Sequence, residues 1–287
     1  MICLQHTPII APLTRTGNFQ ESTKRLTGWL VAWGLLVVLL SGCAGQPVDV
    51  DDGTGGGSSS GARQGNRLAL LKATGLLFST PAVHAHWEPF FFPAKRHAAF
   101  EPVHSLERPA LRVRANKSVS ILRQRFEPSL DSVGRLSFSW RVDGLPKNAD
   151  LAVSGRADSA VRVVLAFDGD RARWTPKNHR LSEMSRLLTG EELPYASLVY
   201  VWSLKDPPGT VVVNPRTDRI RKLVLDSGTA NVGRWRDHVR DVRADFRLAF
   251  GEEPGPLLLV GLMTDTDNTD SQLTAWYGAL TLERAPD

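Results

Sequence analysis

In RLSFSWRV, residues 135–142, Leu136, Phe138, Trp140 and Val142 alternate with Arg135, Ser137, Ser139 and Arg141. A period of two puts the apolar side chains on one face of an extended chain and the polar ones on the other. The segment is therefore a half-buried strand with one face in water. AVRVVLAFD (160–168), SLVYVWS (197–203), TVVVN (210–214), RIRKLVLD (219–226), PLLLVGLM (256–263) and LTAWYGALTL (273–282) also read as strands, and RVRANKSVSILRQRF (112–126) adds one or two more. Gly, Pro, Asn and Asp punctuate the gaps, as hairpin connections require. Few of these strands are apolar on both faces, although Val164 and Ala166 make the 160–168 run one of them. The pattern predicts a mainly β protein, an antiparallel, jelly-roll-like β-sandwich rather than a parallel sheet.

Two short helices interrupt the strands. LSEMSRLL (Leu181–Leu188) has apolar residues at helical spacing, with Gly190 as a stop. GRWRDHVRDVRADFRLAFG (233–251) places Trp235, Val239, Val242, Phe246, Ala249 and Phe250 on one helical face and ends at Gly251. On this reading Trp140 and Trp235 belong to the core, while parity leaves Trp202 and Trp276 undecided.

The segment before the strands sets the expected location. Residues 28–43, GWLVAWGLLVVLLSGC, follow Lys24 and Arg25 and end in Leu40-Ser41-Gly42-Cys43. About a dozen apolar residues are too few to span a membrane, which takes about 20. A basic flank, a short apolar run and small residues before a Cys resemble the signal and lipobox of bacterial lipoproteins. The expected organisation is a signal peptide (1–42), lipidated Cys43 with a Gly/Ser/Asp tether (43–66), a connecting segment (67–86) and one domain (87–284). The tether after Cys43 would reach about 25–30 Å. Residues 67–85 form a weaker signal-like run, interrupted by Lys72. Both runs imply export. Ala44, not Asp, follows the Cys, which in lipoprotein sorting points to the periplasmic face of the outer membrane; the alternative is a soluble periplasmic protein.

Composition excludes some classes. The two cysteines are Cys3 and Cys43, so the domain holds no disulfide. Of 35 Lys and Arg and 30 Asp and Glu, three and one precede Cys43, leaving 32 against 29. That is a mixed surface with no basic block for nucleic acid.

Long stretches of the domain, AVRVVLAFDGD, MSRLLTGEELPYASLVYVWS, RTDRIRKLVLDSG, RWRDHVRDVRADFRLAFGE and LMTDTDNTDSQLTAWYG, resemble a family of secreted bacterial proteins, domain of unknown function 3047. The resemblance covers roughly residues 87–282. It implies a β-rich, sandwich-like exported domain and supplies no catalytic residue.

Candidate chemistry lies in acidic turns: Asp168-Gly169-Asp170, Asp226-Ser227-Gly228 and the run Asp265 to Asp270. Asp265, Asp267, Asn268 and Asp270 offer oxygen ligands of the kind calcium takes, without the Gly and terminal Glu of an EF-hand. The same residue types also cap turns with no ion present, so no cofactor is required. Paired carboxylates, Asp168 or Asp170 with Asp226 or Asp265, would suit a hydrolase of an envelope polymer if their separation allowed it. Within residues 87–284 no Gly-x-Ser-x-Gly elbow, phosphate loop or zinc-motif spacing occurs, although His84 and His86 just before them form an H-x-H pair. Asp168, Asp170, Trp202, Asp226 and Trp276 are the candidate ligand-facing residues, since aromatic faces and carboxylates together suit a sugar. The expectation is a non-catalytic envelope module that binds a glycan or other polymer and is held to the membrane by its lipid; the alternative is the hydrolase.

Overall fold

The computed structural model describes residues 87–283, so the signal, Cys43 and tether lie outside the described residues. Its strands are β1 (Glu88–Phe90), β2 (Phe100–Ser105), β3 (Arg108–Asn116), β4 (Val119–Leu130), β5 (Arg135–Val142), β6 (Ser159–Phe167), β7 (Ala196–Ser203), β8 (Val211–Val213), β9 (Ile220–Ser227), β10 (Arg236–Asp241), β11 (Leu257–Asp265) and β12 (Gln272–Leu282). Two helices, α1 (Pro176–Thr189) and α2 (Val242–Phe250), interrupt them.

The strands form two sheets, ordered β1-β4-β11-β6-β7-β9-β8 and β10-β5-β12-β3-β2. Pairing is antiparallel except between β7 and β9. The fold is the expected sandwich with one parallel pair added. The alternation of residues 135–142 holds: Leu136, Phe138, Trp140 and Val142 are all buried. They meet Ala196, Leu198, Tyr200 and Trp202 of β7 in a core that also takes Phe167, Phe246 and Tyr277.

The seven-stranded sheet is also covered on its outer side. Val199, Val201, Val212 and Val224 pack with Leu151, from the connection between β5 and β6, in a second apolar cluster. This explains why β7 is buried along its whole length and why its sequence shows no alternation.

The predicted helix 233–251 is half strand. Residues 236–241 pair with β5, Arg236 opposite Trp140 and His238 opposite Phe138. Only 242–250 is helical, with Asp241 as N-cap and Gly251 as a left-handed C-cap. The inward residues of β10 are Arg236, His238 and Arg240, so a period of two was present but carried by charge. Val239, expected in the core, is 61% exposed. Phe138→Ala is expected to cost about 3–5 kcal/mol in urea unfolding, whereas Val239→Ser should stay within about 0.5 kcal/mol. Equal losses for the two would contradict the strand assignment of 236–241.

Candidate functional site

The acidic run 265–271 is the crossing from β11 in one sheet to β12 in the other. The neighbouring crossing, from β3 to β4, is bonded to it: Thr266 donates its N–H to Ser118 O (2.9 Å) and Lys117 donates its own to Ser271 O (3.0 Å). Asp158, just before β6 and 1% exposed, accepts from Asn268 Nδ2 (2.8 Å), Thr269 N (2.8 Å) and Thr269 Oγ1 (2.7 Å). An aspartate from a distant loop thus supplies the acceptor that this turn needs.

Among the described residues, Asp158, Asp265 and Asp267 each bring a carboxylate oxygen within 4.8 Å of the others. Asp265 Oδ2 pairs with Arg162 (3.0 Å), and Asp267 accepts from Lys95 and from Asn268 Nδ2. Asp265 Oδ1 is buried and receives no donor as a carboxylate. Burial, with a smaller push from Asp158, raises the Asp265 pKa to about 8 against the pull of Arg162. Burial would also raise Asp267, but hydrogen bonds from Asp265 and Lys95 outweigh it and hold that group low. These opposite shifts favour a protonated Asp265 beside an ionised Asp267. Lys222, also buried, donates to Leu151 O (2.7 Å); burial first, and then the Arg162 charge, lowers its pKa to about 7.

This arrangement leaves little for a metal. Calcium takes about six to eight oxygens, and all but one of these carboxylate oxygens already face a donor of the protein. Of the residues singled out in the sequence, Asp265, Asp267 and Asn268 are gathered here. Asp270 is not: it adopts φ 52° and faces Lys117 at 3.4 Å on the exposed side of the turn. Asp158 and Arg162 were missed, because neither stands near the run in sequence.

The remaining candidates are scattered. Asp170 caps the short turn Arg171–Arg173, and Asp168 N–H bonds Pro256 O (2.8 Å). Gly169 between them lies under the Tyr195 ring, where a Cβ would come within 2.3 Å of a ring carbon. Both aspartates follow the C-terminal end of β6. Because β6 runs antiparallel to β7 and β11, and β9 parallel to β7, Asp226 and Asp265 sit at the other end of the sheet. Strands of this length separate the ends by about 25–30 Å, far beyond a carboxylate pair. Asp226 is buried and accepts from Trp140 Nε1 (2.7 Å) and Arg236 Nε (2.8 Å), with His238 Nε2 at 2.8 Å. Burial pushes its pKa up, but those three bonds outweigh burial and keep it below the ordinary value. Trp202 is 1% exposed and donates to Gly228 O (3.0 Å). Both belong to the core, not to a ligand face.

Trp276 alone of the five lies on an open sheet face. It stands on the outer side of β12, opposite Arg112 of β3 and Arg141 of β5. The Arg141 guanidinium covers its ring at 4.3 Å and donates to Gly233 O and Ser105 Oγ, both at 2.9 Å. Trp235, expected in the core, lies on this same outer face. Its ring comes within 3.2 Å of where a Gly278 Cβ would be, and its indole donates to Ser105 O (3.1 Å). Arg108 sits over Trp235 at 5.5 Å and pairs with Asp237 at 2.7 Å, while Arg112 bonds Glu101 at 2.7 Å. Two half-buried indoles and a set of ion-paired guanidinium and carboxylate groups thus share one sheet surface.

The model of a family described as protein of unknown function (DUF3047) matches residues 85–281. The chain belongs to the DUF3047 family. No curated protein matches it. Among solved structures, this DUF3047 chain is similar to a bacteriophage CBA120 tailspike protein 4 domain (TM-score 0.35, 4% identity, 70% of this chain and 20% of that one). It is also similar to a family 11 carbohydrate-binding module of a Clostridium thermocellum cellulase (TM-score 0.35, 9% identity, 70% and 89%). A third is SGBP-B from a Bacteroides uniformis xyloglucan utilization locus (TM-score 0.29, 10% identity, 70% and 45%). The chain spans about a fifth of the tailspike domain's length.

The protonated Asp265 makes stability depend on pH. Asp265 holds its proton in the folded state well above the pH at which the unfolded chain loses it. Its contribution is complete below about pH 4 and is lost as pH rises towards about 8. Asp265→Asn removes this dependence while keeping a donor for Asp267 and an acceptor for Arg162. Between pH 5 and 7, thermal and urea unfolding should show the variant gaining on the parent by up to about 1.4 kcal/mol per pH unit. A constant difference would contradict the protonated Asp265.

Proposed function

We propose that this domain is a non-catalytic glycan-binding module of the bacterial cell envelope, with its ligand lying across the outer face of the five-stranded sheet. The observation that carries this reading is the position of Trp276, on the open side of a central strand and stacked with Arg141. A pyranose ring offers C–H groups that pack on an aromatic face, and its hydroxyls bond planar charged groups. Arg112, Glu101, Arg108 and Asp237 are held beside the indoles by their own ion pairs, so little rotamer freedom is lost on binding. The hydrolase reading finds no support in the carboxylates, which are either at opposite ends of the sheet or buried.

The same reading places the protein at the membrane through acylated Cys43, with residues 44–66 as its tether, on the periplasmic face of the outer membrane. Two outcomes are expected. On a glycan array, the purified protein should bind at least one envelope or extracellular polysaccharide. Trp276→Ala should weaken that binding roughly tenfold or more, as loss of an aromatic anchor does, with an unchanged circular dichroism spectrum. Failure to bind any glycan, or an unaffected variant, would overturn the proposal. Separately, Cys43→Ser should move the protein from the membrane to the soluble fraction of fractionated cells. A variant that stays with the membrane would show that the lipid is not its anchor.

A further inference from the structure

Helix α1 is built inside out. Thr175 caps its start, Pro176 opens it and Gly190 closes it in the left-handed conformation. Its buried residues are Asn178 and Ser182. Asn178 donates to Asp218 (2.7 Å) and accepts from Thr217 (2.8 Å), and Ser182 Oγ accepts from Leu193 N (3.2 Å). The helix is thus fastened to the domain by hydrogen bonds through its polar side. Its apolar side faces water: Met184 is 46% exposed, Leu187 84% and Leu188 50%. At about 3.6 residues per turn these three share one arc of about 100° with Lys177 and Arg180, which are also exposed. Glu183 flanks the arc beside Leu187, whereas Arg186 lies on the far side of the helix, next to Ser182. An exposed stripe of Met and Leu bordered by Lys and Arg is the reverse of what a solvated helix of a globular domain presents.

The position of the helix adds to its composition. Glu191, directly after the Gly190 cap, is held by Arg123 through two bonds of 2.7 and 2.6 Å. Arg123 also bonds Glu88 of β1 at 2.9 Å. The start of the described chain is therefore tied beside the C-terminal end of α1.

We infer that the exposed face of α1 is an interfacial surface that docks on an anionic lipid membrane. Leu187, Leu188 and Met184 enter the boundary between headgroups and acyl chains, and Lys177 and Arg180 meet lipid phosphates. Charge selects this occupant over the apolar segment 67–79 of the same chain, which itself carries Arg67 and Lys72. The inference depends neither on the glycan face nor on acylation of Cys43.

The test uses the full chain with a photo-crosslinking residue at position 187, mixed with phosphatidylethanolamine vesicles made with or without phosphatidylglycerol. A second chain carries the same residue at Arg156, an exposed site far from α1 in sequence. Illumination should give lipid adducts at 187 several-fold more often than at 156, and the excess should fall when phosphatidylglycerol is left out. Equal adducts at both positions, no lipid adduct at 187, or crosslinks at 187 to a second copy or to residues 67–79 would each overturn the inference. Adducts that ignore phosphatidylglycerol would overturn the role of the basic residues.

Discussion

Asp226 holds the sandwich together from the inside. It stands on β9 of one sheet and takes its donors from the other: Trp140 on β5, and Arg236 and His238 on the edge strand β10. Asp245, on α2, repeats the device one turn further along, accepting from Tyr200 of β7 (2.8 Å) and Arg240 Nε of β10 (2.8 Å). Burying two carboxylates is costly unless every oxygen is matched, and here each meets cationic and neutral donors. The consequence reaches the surface. Because β10 spends its charged residues inward on these two aspartates, it closes the edge of the five-stranded sheet and fixes Trp235 over the outer face at its start.

The same economy of charge governs the crossing turn from β11 to β12. Arg162 and Lys222 lie with Asp265 beneath the connection that contains Leu151. Three carboxylates gather at the end of this row, and the excess negative charge is met by Lys95, Arg162 and a proton. The result is a turn that joins the two sheets and matches most of its carboxylate oxygens with donors of the protein.

How much of this was legible depended on who carried the alternation. In β5 the inward residues are Leu, Phe, Trp and Val, and the strand, its face and the sandwich could be read from them directly. In β10 the inward residues are Arg236, His238 and Arg240, so the period of two looked like a polar helix face, and Trp235 and Val239 were assigned to a core they do not enter. Trp202 and Trp276 have similar neighbours in sequence. Only sheet order shows that β7 is covered on both sides while the outer side of β12 is open. The acidic run was visible as a cluster, but Asp158, which completes it, is more than a hundred residues away, and pairing at that distance is a property of topology. The exposed apolar side of α1 was written in LSEMSRLL as apolar spacing. Its direction, outward rather than inward, followed only once Asn178 and Ser182 were seen to be bonded to the domain.

The most direct test of the glycan face is a titration of protein labelled at its tryptophan indole nitrogens with soluble envelope glycan fragments, followed by nuclear magnetic resonance. The account expects the indole signals of Trp276 and Trp235 to shift together and saturate, while those of Trp140 and Trp202, buried and bonded to Asp226 and Gly228, stay in place. Shifts confined to other indoles, or none at Trp276 while the glycan binds, would contradict it.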